Sequence, residues 1–280
     1  MCGSLILLCV LCEVGIRHGI RQQELNQALI TAITLTDVNS AQDLLNQGAD
    51  PDACDTPQQA ISLWRFLRDR FRSMDGVHNG TPALALAVSA VQWPGKDIEG
   101  KAKAAVIVKA LLDHGAHIDV KDSQGEDMIN LAVEPYHNSH LLRMLLRHRG
   151  NVKYSGRRGQ TSLLERKSPI YHRTPLLTVA GWGSPEEIDL LLSAGATVDF
   201  PDDYGQTALM FAVEKGRPEN IACLLKYHAS VRVKDRDGNT ALSLARKNRA
   251  GNVVTPFNHE VDDHFWPNIV NMLEKALAQE

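Results

Sequence analysis

The chain has 280 residues and a formal charge of −3, with 44% hydrophobic and only 5% aromatic residues. That length can bury a sizeable core, as one elongated domain or two compact ones, and an aliphatic composition favours packed helices over an aromatic-rich β-sandwich. The near-neutral balance gives no global case for nucleic acid or an anionic membrane, and five unpatterned cysteines form no disulfide framework, as in a reducing, cytoplasmic compartment.

Residues 1–24 form an apolar N-terminal segment. "SLILLCVLCEVGI", Ser4 to Ile16, is followed by Arg17, His18 and Arg21. The run is too short for an ordinary membrane span and contains Glu13, and "MCGS" lacks the basic start of a secretory signal. Three readings stay open: a reduced membrane anchor, an interfacial segment in which residues 4–16 touch a membrane, or a helix capping the first structural unit. Cys9-x-x-Cys12 has a metal or redox spacing but no second ligand pair.

From Leu25 onward the chain repeats itself. "DDYGQTALMFAVEKG" (Asp202 to Gly216) returns as "DRDGNTALSLARKN" from Asp235, thirty-three residues later. A second apolar pattern accompanies each copy at i, i+3, i+4, one face of a short helix. The triplets are Ala41, Leu44, Leu45; Val108, Leu111, Leu112; Leu142, Leu145, Leu146; Ile188, Leu191, Leu192; Ile221, Leu224, Leu225; and Ile269, Met272, Leu273. Thr174, Thr207 and Thr240 stand where first helices begin, as N-caps, and Pro175 suits a first turn. Gly48, Gly115 and Gly195 follow the second helices, where a left-handed residue ends them; Arg149 and His228 stand at that position in two copies.

"RTPLLTVA", "LLSAGATVD", "LLNQGADPD" and "LLDHGAHID" carry a resemblance to the ankyrin-repeat family, whose unit of ~33 residues is a β-turn and two antiparallel helices. The resemblance implies an all-α solenoid of about six stacked helix pairs with short β-turn fingers over residues 25–280. The family's histidine after T-P-L is replaced by Ile30, Ala85, Asn130, Leu177, Met210 and Ser243, which predicts a looser stack. Insertions are expected near 56–79, 89–104, 155–173 and 248–266. The first carries an amphipathic pattern (Ile61, Trp64, Phe66, Leu67, Phe71), and the third is read as an extended finger.

Chemistry is sparse. "HEVDDH", with His259, Asp262 and His264, is not H-E-x-x-H and reads as a polar loop. "GWGSPEE" lacks a phosphate-loop spacing, and no nucleophile elbow occurs. No cofactor, metal or small-molecule substrate is inferred. Arg143 to Arg173 is strongly basic and the next stretch, with Glu186, Glu187, Asp189, Asp199, Asp202 and Asp203, is acidic. The basic stretch either meets an acidic protein partner or pairs with the acidic face of the following repeat; it lacks the interleaved aromatics of a nucleic-acid surface. The resemblance implies non-catalytic binding of another protein through the concave face and fingers. The expected contact residues are Asp119, Lys153, Tyr154, Arg157, Arg158, Asp199, Asp202, Tyr204, Arg232 and Lys234.

Overall fold

The computed structural model describes residues 2–55, 80–92, 98–133, 139–148, 162–250 and 265–279, with side chains from residue 19 onward. The amphipathic pattern at 56–79, Arg149 and the polar loop with His259, Asp262 and His264 lie outside them. The chain divides into two compact units, residues 1–124 and 125–280.

The first unit holds α1 (Cys2–Leu35), α2 (Val38–Asn46), a strand pair β1 (Cys54–Asp55) and β2 (Thr81–Pro82), α3 (Ala83–Gln92) and α4 (Ile98–Asp113). Helix α1 packs on α3 and α2 on α4, so the two helix pairs are immediate neighbours in their stack. No break in secondary structure marks residue 24: the apolar N-terminal segment continues into the first repeat helix, whose far end buries Leu29, Ile30, Ala32 and Ile33. No helix among the described residues is long and apolar enough to cross a membrane. The insertion near 89–104 is partly helical, because its second half lengthens α4 to 16 residues.

The second unit holds α5 (Met128–Val133), α6 (Ser139–Arg147), a 3₁₀ turn (Leu163–Glu165), α7 (Pro175–Trp182), α8 (Pro185–Ala194), α9 (Ala208–Glu214), α10 (Pro218–Lys226), α11 (Ala241–Ala250) and α12 (Phe265–Leu277). First helices form one row, α5 to α7 to α9 to α11, and second helices another, α6 to α8 to α10 to α12. α6, α8 and α10 bury the first and second residues of their apolar triplets and half-bury the third, while α12 buries Ile269 and Leu273 and half-buries Met272; Ile188, Leu191, Ile221, Leu224, Ile269 and Leu273 are all fully enclosed. No such helix could hide that stripe alone, so stacking holds it. In residues 162–173, the described part of the expected extended finger, Leu163, Leu164 and Ser168 are buried while Pro169 to His172 stand exposed.

The expected caps are in place. Thr174 and Thr207 accept the N–H groups of Leu177 and Met210, satisfying amides that have no partner within the helix. Where the phrase L-L-x-x-G-A occurs, it ends the second helix by one device. Gly195 N–H bonds to Leu192 O and Ala196 N–H to Leu191 O, both at 3.0 Å, a Schellman closure that requires the left-handed φ of 102°. His228 makes the same closure at φ 60°, at a cost of about 1 kcal/mol for a residue with a Cβ.

Most residues that replace the missing histidine are enclosed, and Ser243 is exposed. Ile30, Ala85, Leu177 and Met210 are buried, so apolar contact replaces the polar tie. Asn130 keeps one, donating from Nδ2 to the carbonyl of Arg166 at 3.4 Å.

Candidate functional site

The D-x-x-G phrases build the turns that project beside the first helices. Asp202 Oδ1 accepts the N–H groups of Tyr204 and Gln206, each at 2.8 Å. Asp235 Oδ1 accepts from Asp237 N–H at 3.0 Å and Asn239 N–H at 2.7 Å. An aspartate at the start folds the loop onto its own carboxylate. The two turns are then joined by Arg236 N–H donating to Tyr204 O at 2.9 Å. Gly205 has to be glycine twice over: its φ is +78°, and a Cβ there would stand 3.1 Å from Arg236 N.

A second aspartate ties neighbouring repeats. In "GADPD" Asp52 accepts His117 N–H at 2.8 Å, and in "GATVD" Asp199 accepts Ser230 N–H at 3.1 Å. Each donor follows the next copy's G-A or H-A pair. The His117 ring also bonds to Asp52, and that hydrogen bond raises the imidazole pKa above its ordinary value.

Between the two turns lies a cleft of about 270 Å³ lined by Tyr171, Arg173, Asp202, Tyr204, Gln206, Asp235, Arg236 and Asp237. Tyr204 is 67% exposed and Tyr171 48%. Arg173 on its lining belongs to a cluster of cations and rings. The Arg173 guanidinium sits 4.4 Å from the centroid of the buried Phe211 ring, and the Lys215 ammonium lies 5.0 Å from the same ring and 5.1 Å from Trp182. Cations held over aromatic faces in this way gain roughly 0.5–2 kcal/mol each. Gly181 makes room for the ring, since a Cβ there would come within 2.4 Å of Phe211 Cε1.

The basic and acidic stretches partly cancel each other within the second unit. Arg143 pairs with Glu186, and Lys167 pairs with Asp203 at 2.6 Å, with the Lys167 hydrogen bond lowering the Asp203 pKa. A buried acidic pair lies under the same region. Glu126 accepts the Ser168 hydroxyl, while Asp127 caps α5 by accepting Asn130 N–H at 3.1 Å. Burial pushes Asp127 up to about 6 against the opposing pull of its hydrogen bonds and of Arg166.

Of the expected contact residues, Lys153, Tyr154, Arg157 and Arg158 lie outside the described residues. Tyr204 stands on the cleft and Lys234 is exposed on the neighbouring turn. Arg232 is exposed and reaches Leu277 O at 3.4 Å. Asp202 is only 7% exposed, and its carboxylate, like that of Asp199, is engaged by backbone N–H groups, so both act inside the scaffold. Asp119 is exposed, engaged, and in the same register as Asp52 and Asp199. Sequence reasoning missed Tyr171, Arg173, Gln206, Asp235, Arg236 and Asp237. Register could have found two of them, because Asp235 and Asp237 match Asp202 and Tyr204 in the preceding copy. Among the described residues, no group of three or more His, Cys, Asp or Glu side chains is placed to hold a metal ion.

Paired helices stacked in two rows, with turns projecting at one side, define a helical repeat protein of the solenoid class. Residues 162–235 match the family described as ankyrin repeats in three copies, which supports the resemblance carried by the repeated phrases. Two solved structures share the fold at 22% identity, each covering 89% of this chain and 96% of its own. One is an ankyrin repeat domain from Acinetobacter baumannii AYE, with a TM-score of 0.58. The other, EF0377, is an ankyrin repeat protein with a TM-score of 0.56. No curated protein matches the chain in sequence.

Proposed function

We propose that the protein is a non-catalytic interaction module, a scaffold or adaptor that holds a partner protein against the finger turns and adjoining first helices of residues 162–240. One observation carries this reading. In a stack that buries its large apolar side chains, Tyr171 and Tyr204 stand exposed on one cleft beside an arginine. Tyrosine and arginine are the side chains that interfaces favour, because they bring large contact area with few torsions to freeze. Ankyrin repeats generally serve as protein-binding modules, which supports the class and leaves the partner to the side chains of the fingers. Lys153, Tyr154, Arg157 and Arg158 belong to the proposed surface as its basic extension.

Proximity labelling in cells tests the reading with three chains: wild type, Tyr171→Ser/Tyr204→Ser, and Arg157→Glu/Arg158→Glu. The tyrosine pair is expected to remove a discrete set of labelled proteins, and the arginine pair to weaken the same set. A labelled set unchanged in both variants would exclude the finger side as the recognition surface.

A further inference from the structure

Independently of the finger side, we infer that the N-terminal part of α1 binds lipid: its apolar run lies obliquely in one leaflet of a membrane, and Arg17 and Arg21 meet anionic phospholipid headgroups. Helix α1 is 34 residues long, whereas its partner α2 has 9. Among the described residues the two are tied at Gln22 and Asn26. Gln22 Nε2 donates to Gly48 O at 2.8 Å, and Asn26 Oδ1 accepts Asp50 N–H at 2.9 Å. Gly48 closes α2, so these bonds mark its far end. Residues 2–21 continue the same helix past that end for about 30 Å. The first helix of the next repeat does not extend that far. Ile30 and Ala85 share a register position, which sets the start of α3 at Ala83 level with Ala28.

The register of the apolar residues decides between a protein and a lipid. Leu5, Ile6, Leu7 and Leu8 step through four directions at about 100° per residue, and Val10, Leu11 and Val14 fall between them. A second copy of the chain, or a protein groove, covers one stripe of a helix and leaves its other sides in water. A helix apolar on every side needs an apolar medium all round. Its length selects contact with one leaflet rather than a span. Leu5 to Ile16 rises roughly 18 Å, against a hydrocarbon core about 30 Å thick for the whole bilayer.

The charge pattern supplies the headgroup end. From Val14 to Gln23 the chain carries Arg17, His18 and Arg21 and no acidic residue, and Arg21 is exposed. The net charge of −3 gives no general attraction to an anionic surface, so the attraction is local to this collar, and each basic residue near such a surface strengthens binding about fivefold. Glu13, the acidic residue within the run, stands four positions before Arg17, the helical spacing at which a carboxylate and a guanidinium neutralise one another. The helix is continuous from this segment to the buried Leu29 and Ile33, so lipid binding holds the first repeat at a fixed distance from the membrane.

The test floats the full chain with phosphatidylcholine vesicles prepared with and without phosphatidylserine. Wild type is expected to float with both and to bind the anionic vesicles more tightly. Arg17→Glu/Arg21→Glu should weaken binding to the anionic vesicles at least tenfold and leave the neutral ones unchanged. Leu7→Asp/Leu11→Asp should abolish binding to both while melting with the wild type. A water-soluble maleimide gives a second readout. Vesicles should shield Cys9 and Cys12 from it and leave the labelling of Cys54 and Cys223 unchanged. Shielding of Cys9 and Cys12 before lipid is added, or a lower melting temperature in Leu7→Asp/Leu11→Asp, would make the segment a protein-packed cap and overturn the inference. So would failure to float, or flotation indifferent to both variants. Tyr171→Ser/Tyr204→Ser should float like wild type whatever its effect on partner labelling, which separates this inference from the finger reading. Loss of flotation in that variant would move the lipid contact to the fingers and overturn the role of α1.

Discussion

At position 127 a first helix starts with aspartate where the matching caps at 174, 207 and 240 are threonine. Either side chain can accept the N–H three residues on, but only the carboxylate carries charge into the interior. Asp127 is 3% exposed and its pKa is pushed up to about 6, chiefly by burial. A carboxylate raised in the folded state binds more protons folded than unfolded, so its contribution to stability falls as pH rises from about 4 to about 6. Above that window the penalty is complete, on the order of 2–3 kcal/mol for a shift of this size. Asp127→Thr should therefore raise the melting temperature at pH 7.5 by several degrees, and the gain should shrink at pH 4.5. An equal gain at both pH values would show that the penalty is not ionisation. Gly205→Ala is the opposite case: it puts a Cβ at φ +78°, 3.1 Å from Arg236 N. It should destabilise by about 1–2 kcal/mol in urea titration and loosen the turn that carries Tyr204.

Helices of the second row show how one register position is met by different chemistry. Helix α8 begins with a capping box, in which Ser184 accepts Glu187 N–H and Glu187 accepts Ser184 N–H. Thirty-three residues on, α10 has Arg217 and Asn220 at these positions and no side-chain cap. Both reach back to the previous repeat instead. Asn220 Nδ2 donates to Ala180 O at 2.9 Å and Gly183 O at 3.1 Å, and Arg217 Nη2 donates to Gly183 O at 2.8 Å. They satisfy carbonyls left over at the end of α7. Asn220→Ala should cost about 1–3 kcal/mol in chemical denaturation, the usual penalty for stranding buried polar groups; a loss below ~0.5 kcal/mol would mean that water replaces the amide. The threonine caps and the Schellman glycines were legible in sequence because each acts within five residues. The role of Asn220 was not, because its acceptors lie up to 41 residues away. The cleft escaped for the same reason: Tyr171 and Arg236 meet only when neighbouring turns are stacked. Asp202 was legible as a turn residue, yet it was also expected to meet a partner, since sequence does not show which carboxylates are already occupied.

For the whole molecule, the question is how a regular stack tolerates long interruptions. The largest separates the two leucine-pair phrases of the first unit by 67 residues between Gly48 and Gly115. Strands β1 and β2 give the physical answer. Cys54 pairs with Pro82 and Asp55 with Thr81, antiparallel, so the chain leaves and re-enters the repeat at adjacent points. Ala83 N–H then bonds to Ala53 O at 2.7 Å, starting α3 directly beside the end of the first repeat. An insertion whose ends already touch adds little loop-closure cost, since that cost grows only with the logarithm of length. The helix pairs on either side pack directly on each other, α1 on α3 and α2 on α4. Replacing residues 56–80 by an Asn-Gly hairpin turn, which suits a two-residue antiparallel link between the paired Asp55 and Thr81, should therefore preserve the stack. The shortened chain is expected to keep its helical circular-dichroism signal per described residue and to melt within about 3 °C of the parent, the scale of a loop change worth a few tenths of a kcal/mol. Loss of cooperative melting would instead make the insertion part of the core that holds the first unit together.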